Sequence, residues 1–133
     1  SAPLIMGNDV RSMTKETIET LTNKEMIAID QDSLGKQALR YITIDSVEVW
    51  AKPLQNNEWA VCFLNLASKP VAFTFDWKNH IIQDEVFKKT LNTTMQQYRL
   101  RNVWTKKEAG TTQQKINASI ASHDVLVFRL SPK

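Results

Sequence analysis

VAFTFDW, residues 71–77, alternates along its whole length: Val71, Phe73, Phe75 and Trp77 project to one side, Ala72, Thr74 and Asp76 to the other. A period of two is that of a half-buried β-strand, so the aromatic side belongs to a core and Phe73 is expected inside. The same period recurs outward in both directions. EWAVCFLNL (58–66) and DVLVFRL (124–130) are apolar on both faces, as central strands are, whereas SVEVWAK (46–52) and YRLRNVW (98–104) alternate more weakly. ALRYITI (38–44), QKINASI (114–120) and a weak DEVFKKT (84–90) bring the count to about eight short strands. Turn chemistry separates them at Pro53–Asn57, Ser68–Pro70 and Lys106–Gly110. This spacing predicts an antiparallel β-sandwich of Greek-key or jelly-roll type.

Before Gln37 the period is different. Thr14 is a candidate N-cap for a helix whose face carries Ile18 and Leu21. Asn23 can cap a second short helix with Met26, Ile27 and Ile29 as its apolar positions, and DQDSLGK (30–36) ends it in polar and glycine turn chemistry. Ala2–Met6 is apolar on both faces, the pattern of a strand buried in a parallel sheet. A strand of that kind needs parallel neighbours, and no second βα unit follows. The expectation is therefore a division at residues 1–36 and 37–133, the first part belonging to a sheet whose other strands are missing.

The 133 residues, 42% hydrophobic and 23% charged, suffice for a real core and exclude disorder. The net charge of +3 is small and scattered. Its tightest cluster, Arg99, Arg101, Lys106 and Lys107, reads as a solvated sheet face, so no nucleic-acid partner is expected. No run reaches the ~18 apolar residues of a membrane-spanning helix. Cys62, the only cysteine, sits in an apolar run and reads as a small hydrophobe. Sequons occur at Asn92 and Asn117 and matter only in a eukaryotic secretory protein.

Candidate chemistry is sparse. Asp30 with Asp32, and Asp84 with Glu85, flank turns and read as turn caps rather than acid/base pairs. His80 and His123 lack partners at metal-ligand spacing, so no metal and no cofactor are expected. Among the tryptophans, Trp59 and Trp77 continue apolar faces, while Trp104, ending its strand, is the candidate for partial exposure and sugar stacking.

One segment is far more specific. SAPLIMGNDVRSMTKETIETLTNKEMIAIDQDSLGKQ (1–37) resembles the last βα unit of family 27 glycoside hydrolases, the α-galactosidases or melibiases. In that family a small-Ala-Pro-Leu run leads into an Asn-Asp pair and a helix. VEVWAKPL (47–54) and EWAVCFLNL are similar to the first strands of its C-terminal β domain, LRNVWTKKEAG (100–110) to its middle, and ASHDVLVFRLSP (121–132) to its end. Ser33 stands where the family often has Pro, and Ala38 where it often has Gly; both concern loop stiffness.

The resemblance implies a (β/α)₈ barrel upstream, with Ala2–Met6 as its eighth strand and the sandwich packed against it. It implies retaining hydrolysis of terminal α-linked galactose by two aspartates on earlier barrel strands. The Lys-x-Asp motif of one of them is absent here, so no catalytic residue is carried over. Asn8 and Asp9 follow the carboxyl end of the barrel strand, where they could support the active site through hydrogen bonds or simply close the turn. The implied partners are the chain's own upstream barrel and, for the whole enzyme, an α-galactoside. The implied location is secreted, periplasmic or lysosomal. The alternative function is a free-standing carbohydrate-binding sandwich.

Overall fold

The computed structural model describes Leu4, Gly7 and residues 9–133. The strand expected over Ala2–Met6, Leu4 excepted, and the candidate Asn8 lie outside the described residues. Two short helices come first, α1 (Lys15–Leu21) and α2 (Lys24–Asp30). Each has the cap that its sequence promised: the Thr14 side chain accepts from Thr17 N–H, and Asn23 accepts from the N–H groups of Glu25 and Met26. Gly35, at φ +61°, turns the chain away after α2 in a conformation that costs glycine little.

Ten strands follow among the described residues: β1 (Leu39–Ile44), β2 (Val47–Pro53), β3 (Trp59–Asn65), β4 (Val71–Phe75), β5 (Ile81–Asp84), β6 (Lys89–Asn92), β7 (Tyr98–Asn102), β8 (Lys107–Thr111), β9 (Ile116–Ile120) and β10 (Val125–Pro132). Six form one antiparallel sheet in the order β1-β2-β3-β10-β7-β8, and β4-β9 and β5-β6 form separate antiparallel pairs. The last strand is thus inserted between β3 and β7, which closes the sheet through contacts distant in sequence.

The inner face of the large sheet carries Val49, Ala51, Val61, Phe63, Leu100, Phe128 and Leu130 onto Phe73, Phe75, Trp77 and Ile120 of the opposing layer. Phe73 is buried, as its period required, with Ala72 and Thr74 exposed. Phe63 is the hub: its ring lies 5.3 Å from Phe73, 5.1 Å from Phe75, 6.1 Å from Trp77 and 6.2 Å from Phe128. These spacings are those of tilted and edge-to-face aromatic pairs.

Four expectations change. The strand count is ten rather than about eight. DEVFKKT is mostly a hairpin turn: Asp84 Oδ1 accepts from the N–H groups of Val86 and Phe87, and Lys88 takes a left-handed φ of 54°. The real strands flank it, each anchored by one buried side chain, Ile82 and Leu91. Most of Lys106–Gly110, expected as a turn, lies in the edge strand β8 (Lys107–Thr111); its first four residues are exposed, so no apolar period marked it. Finally, β2 is buried on both faces, Glu48 and Lys52 included, which places something over the outer face of the sheet.

His80 lies between the layers, stacked 4.3 Å from Phe75, with its Nδ1 3.4 Å from the Tyr41 hydroxyl. Burial pulls its pKa below the ordinary histidine value, opposed by the charge of Asp76. The unfolded chain therefore binds this proton more readily than the folded one. The stabilisation is complete above the unfolded value and is lost as pH falls through it toward the lowered folded value. Thermal melting should drop as the pH falls below about 7.5. Calorimetry on His80→Gln should show that slope flattened; an unchanged slope would assign it to other groups.

Candidate functional site

The outer face of the large sheet is where α2 meets the sandwich. Alternation sends Ala60 and Cys62 of β3 and Val127 of β10 to this side, opposite the aromatic core. They form a second apolar cluster with Leu54 and Val103, and Ile29 of α2 fits into it, with Met26 and Trp104 packed around. Burying Ile29 contributes roughly 1.5–3 kcal/mol to holding the helix there.

Polar bonds fix the helix in place from end to end. At its start, Asn23 uses its side-chain oxygen as the cap and donates its Nδ2 to Val103 O at 3.0 Å. Along its side, Arg101 of β7 grips Glu25 with bonds of 2.7–3.1 Å. The Arg101 bonds hold the Glu25 carboxyl below the usual range against the opposing effect of burial. At its end, the buried Lys52 ammonium donates to the carbonyls of Ile29 and Asp30, where the helix dipole is negative. Asp32 then accepts from Leu34 N–H and from Gln55 N–H, tying the exit turn to the loop after β2.

None of Asn23's contact to Val103, Arg101–Glu25 or Lys52 was legible beforehand, since each joins residues more than 20 positions apart. The one available signal was Lys52, a lysine in a strand that holds one other charged residue, Glu48.

Helix α1 contrasts with α2. It buries none of its residues, and Ile18 is 43% exposed. Beyond α2, the outer face continues through Trp50, Leu64 and Val125, which are half-exposed.

The sequence candidates fall as follows. Asp9 is exposed; it binds the Arg11 guanidinium at 3.0 Å and accepts from Arg11 N–H, closing the turn before α1. Asp32 and Asp84 serve as turn caps. Glu48 is engaged by Arg40 at 2.8 Å and by the Trp50 indole at 2.9 Å, and these bonds lower its pKa. Cys62 has its thiol pushed up to about 11 by burial, which leaves it protonated and unreactive. Trp59 and Trp77 are core residues. Trp104 is half-buried at the rim of a crevice of about 340 Å³ lined by Glu16, Glu19, Thr20, Asn23 and Lys106. The described residues bring no three His, Cys, Asp or Glu side chains together as a metal site.

Comparison with known proteins yields a consistent set. Residues 44–130 match the family model described as the alpha galactosidase C-terminal beta sandwich domain. Alpha-galactosidase A of Cellvibrio japonicus is 41% identical over the whole chain, and an alpha-galactosidase of Oryza sativa is 37% identical over 98% of it. The chain spans only 33% and 29% of the lengths of these two relatives. Among solved structures, alpha-galactosidase I of Mortierella vinacea superposes with a TM-score of 0.79 at 28% identity, over 97% of this chain and 32% of that one.

Proposed function

This chain belongs to the family of α-galactosidase C-terminal β-sandwich domains, and from that membership we propose that it is the non-catalytic tail of an enzyme hydrolysing terminal α-linked galactose with retention. Residues 1–36 are then the last unit of the catalytic barrel and residues 37–133 the sandwich, which packs against the barrel and stabilises it. Helix α2 is the part of that unit that the sandwich grips, through Arg101, Lys52 and Val103.

The observation that carries this reading is the contrast between the two helices. A seven-residue helix is too short to persist in water without packing, yet no residue of α1 is fully buried. The barrel upstream supplies the missing cover, and the half-exposed stripe of Trp50, Leu64 and Val125 continues the same contact. Retention needs two carboxyl groups about 5 Å apart. Asp9, Glu25, Glu48, Glu58 and Asp84 are instead engaged by arginines or by backbone N–H groups.

The purified chain should therefore show no turnover of an aryl α-galactoside, while the whole enzyme hydrolyses it; turnover by the chain above background would refute the proposal. Hydrogen exchange adds a second readout. Amides of α1 should exchange fast in this chain and slowly in the whole enzyme, whereas α2 should be protected in both. Equal protection of α1 in the two would remove the need for a barrel partner.

A second reading, a carbohydrate-binding module, draws on Trp104 beside the carboxylates of Glu16 and Glu19, since sugars stack on indole and donate to carboxylates. Titration with galactose while following tryptophan fluorescence separates the two. A saturable change lost in Trp104→Ala favours the module; a flat response leaves the structural role.

A further inference from the structure

We propose that the narrow crevice beneath the β5–β6 hairpin is a binding site for one structural water, held by Asp84 Oδ2 and linking the hairpin to β1. Asp84 is 5% exposed, and its two oxygens are treated unequally. Oδ1 accepts from Val86 N–H at 3.1 Å and Phe87 N–H at 2.9 Å, while the buried Oδ2 has no partner among the described residues. A buried carboxylate oxygen left without a donor is costly, and such atoms in folded proteins are normally met by water or an ion.

The space beside it has the right size. The crevice holds about 20 Å³ and is lined by Asp84 and Gln83 of β5, Tyr41 of β1 and Ala51 of β2, among others. One water needs roughly 10–15 Å³ on this measure, together with two to four polar partners.

The second partner comes from β1. Its register against β2 slips between Arg40 and Ile42, so Tyr41 is the extra residue of a β-bulge. A bulge takes backbone polar groups out of the ladder and leaves them available. A cation is the poorer occupant, because among the described residues Asp84 is the only carboxylate lining the crevice and Arg40 lines it too. A proton on Oδ2 would not remove the need, since the resulting hydroxyl would itself require an acceptor. The structural consequence is a polar tie where the strand ladders provide none: the β5–β6 pair is hydrogen-bonded as a strand to neither the large sheet nor β4–β9.

Water–amide cross-relaxation, measured by NMR in the laboratory and rotating frames on the 133-residue chain, tests the site. The amides of Tyr41 and Gln83 should show the sign of a water that stays longer than molecular tumbling. Both signals should vanish in Ala51→Val, whose added methyls fill the crevice, with the rest of the amide spectrum retained. Wild-type amides showing only short-lived surface water would overturn the site, and this measurement decides by itself should the variant fail to fold. Signals persisting unchanged in a folded Ala51→Val chain would overturn it equally.

Discussion

Phe63→Ala lowers the unfolding free energy by about 3–5 kcal/mol, the usual cost of truncating a buried phenylalanine, and melting falls by roughly 10–20 °C. Phe63 is fully buried at the middle of β3, itself a central strand of the large sheet. Its ring touches four others drawn from both layers, Phe73, Phe75, Trp77 and Phe128. Removing it deletes the contacts that key the layers together and leaves a void that rigid aromatic neighbours fill poorly. Urea denaturation supplies the measurement, with Thr74→Ala as the control, because Thr74 points to solvent from the facing strand. A loss for Phe63→Ala no larger than the control's, which should lie within about 0.5 kcal/mol, would show that the layers are held elsewhere.

Asn65→Leu is expected to cost a comparable amount, about 3–5 kcal/mol, although it makes the position more apolar. Asn65 is completely buried at the end of β3, where the chain leaves the large sheet for the opposing layer. Its Nδ2 donates to Lys69 O at 2.9 Å, Ile120 O at 3.0 Å and Ala121 O at 2.9 Å, and its Oδ1 accepts from Ala67 N–H at 2.8 Å. One amide thus engages four backbone groups from the turn after β3 and the end of β9, its two N–H hydrogens shared among three carbonyls. Leucine has a similar volume but satisfies none of them, so their desolvation becomes the dominant effect. Asn65→Asp discriminates the cause. It keeps the acceptor for Ala67 yet turns a carboxylate toward three carbonyls, so it should be at least as damaging as leucine. Near-neutral stability for both variants would mean that water replaces the side chain at this corner.

These two residues also mark how far the sequence could be read. Phe63 was legible in character, because EWAVCFLNL is apolar on both faces and so had to run through the centre of a sheet. Asn65, two residues on in the same run, carried no such sign; a buried asparagine and a loop asparagine look alike until the carbonyls it must satisfy are placed around it. The helix caps Thr14 and Asn23 were readable because the cap, the bond and the helix all lie within three residues. The strand β8 was not, because an exposed edge strand needs no hydrophobic period and is held by its ladder to β7.

At the seam the division is the same. Sequence identified α2 and its apolar positions, and the resemblance over residues 1–37 pointed to the family that the match over residues 44–130 establishes. It could not say that α2 would be bound to the sandwich while α1 was left bare.

By itself, then, the order of residues determined what depends on neighbours a few positions apart: the period of each strand, the caps, the turns and the all-β class. The tertiary structure alone decided what depends on approach in space, namely the insertion of β10 between β3 and β7, the grip of Arg101 and Lys52 on α2, and the bulge that sets Tyr41 beside Asp84. The physical reason is that backbone geometry and local hydrogen bonds act over one or two turns of chain, whereas burial and charge pairing act between whichever surfaces the fold brings together.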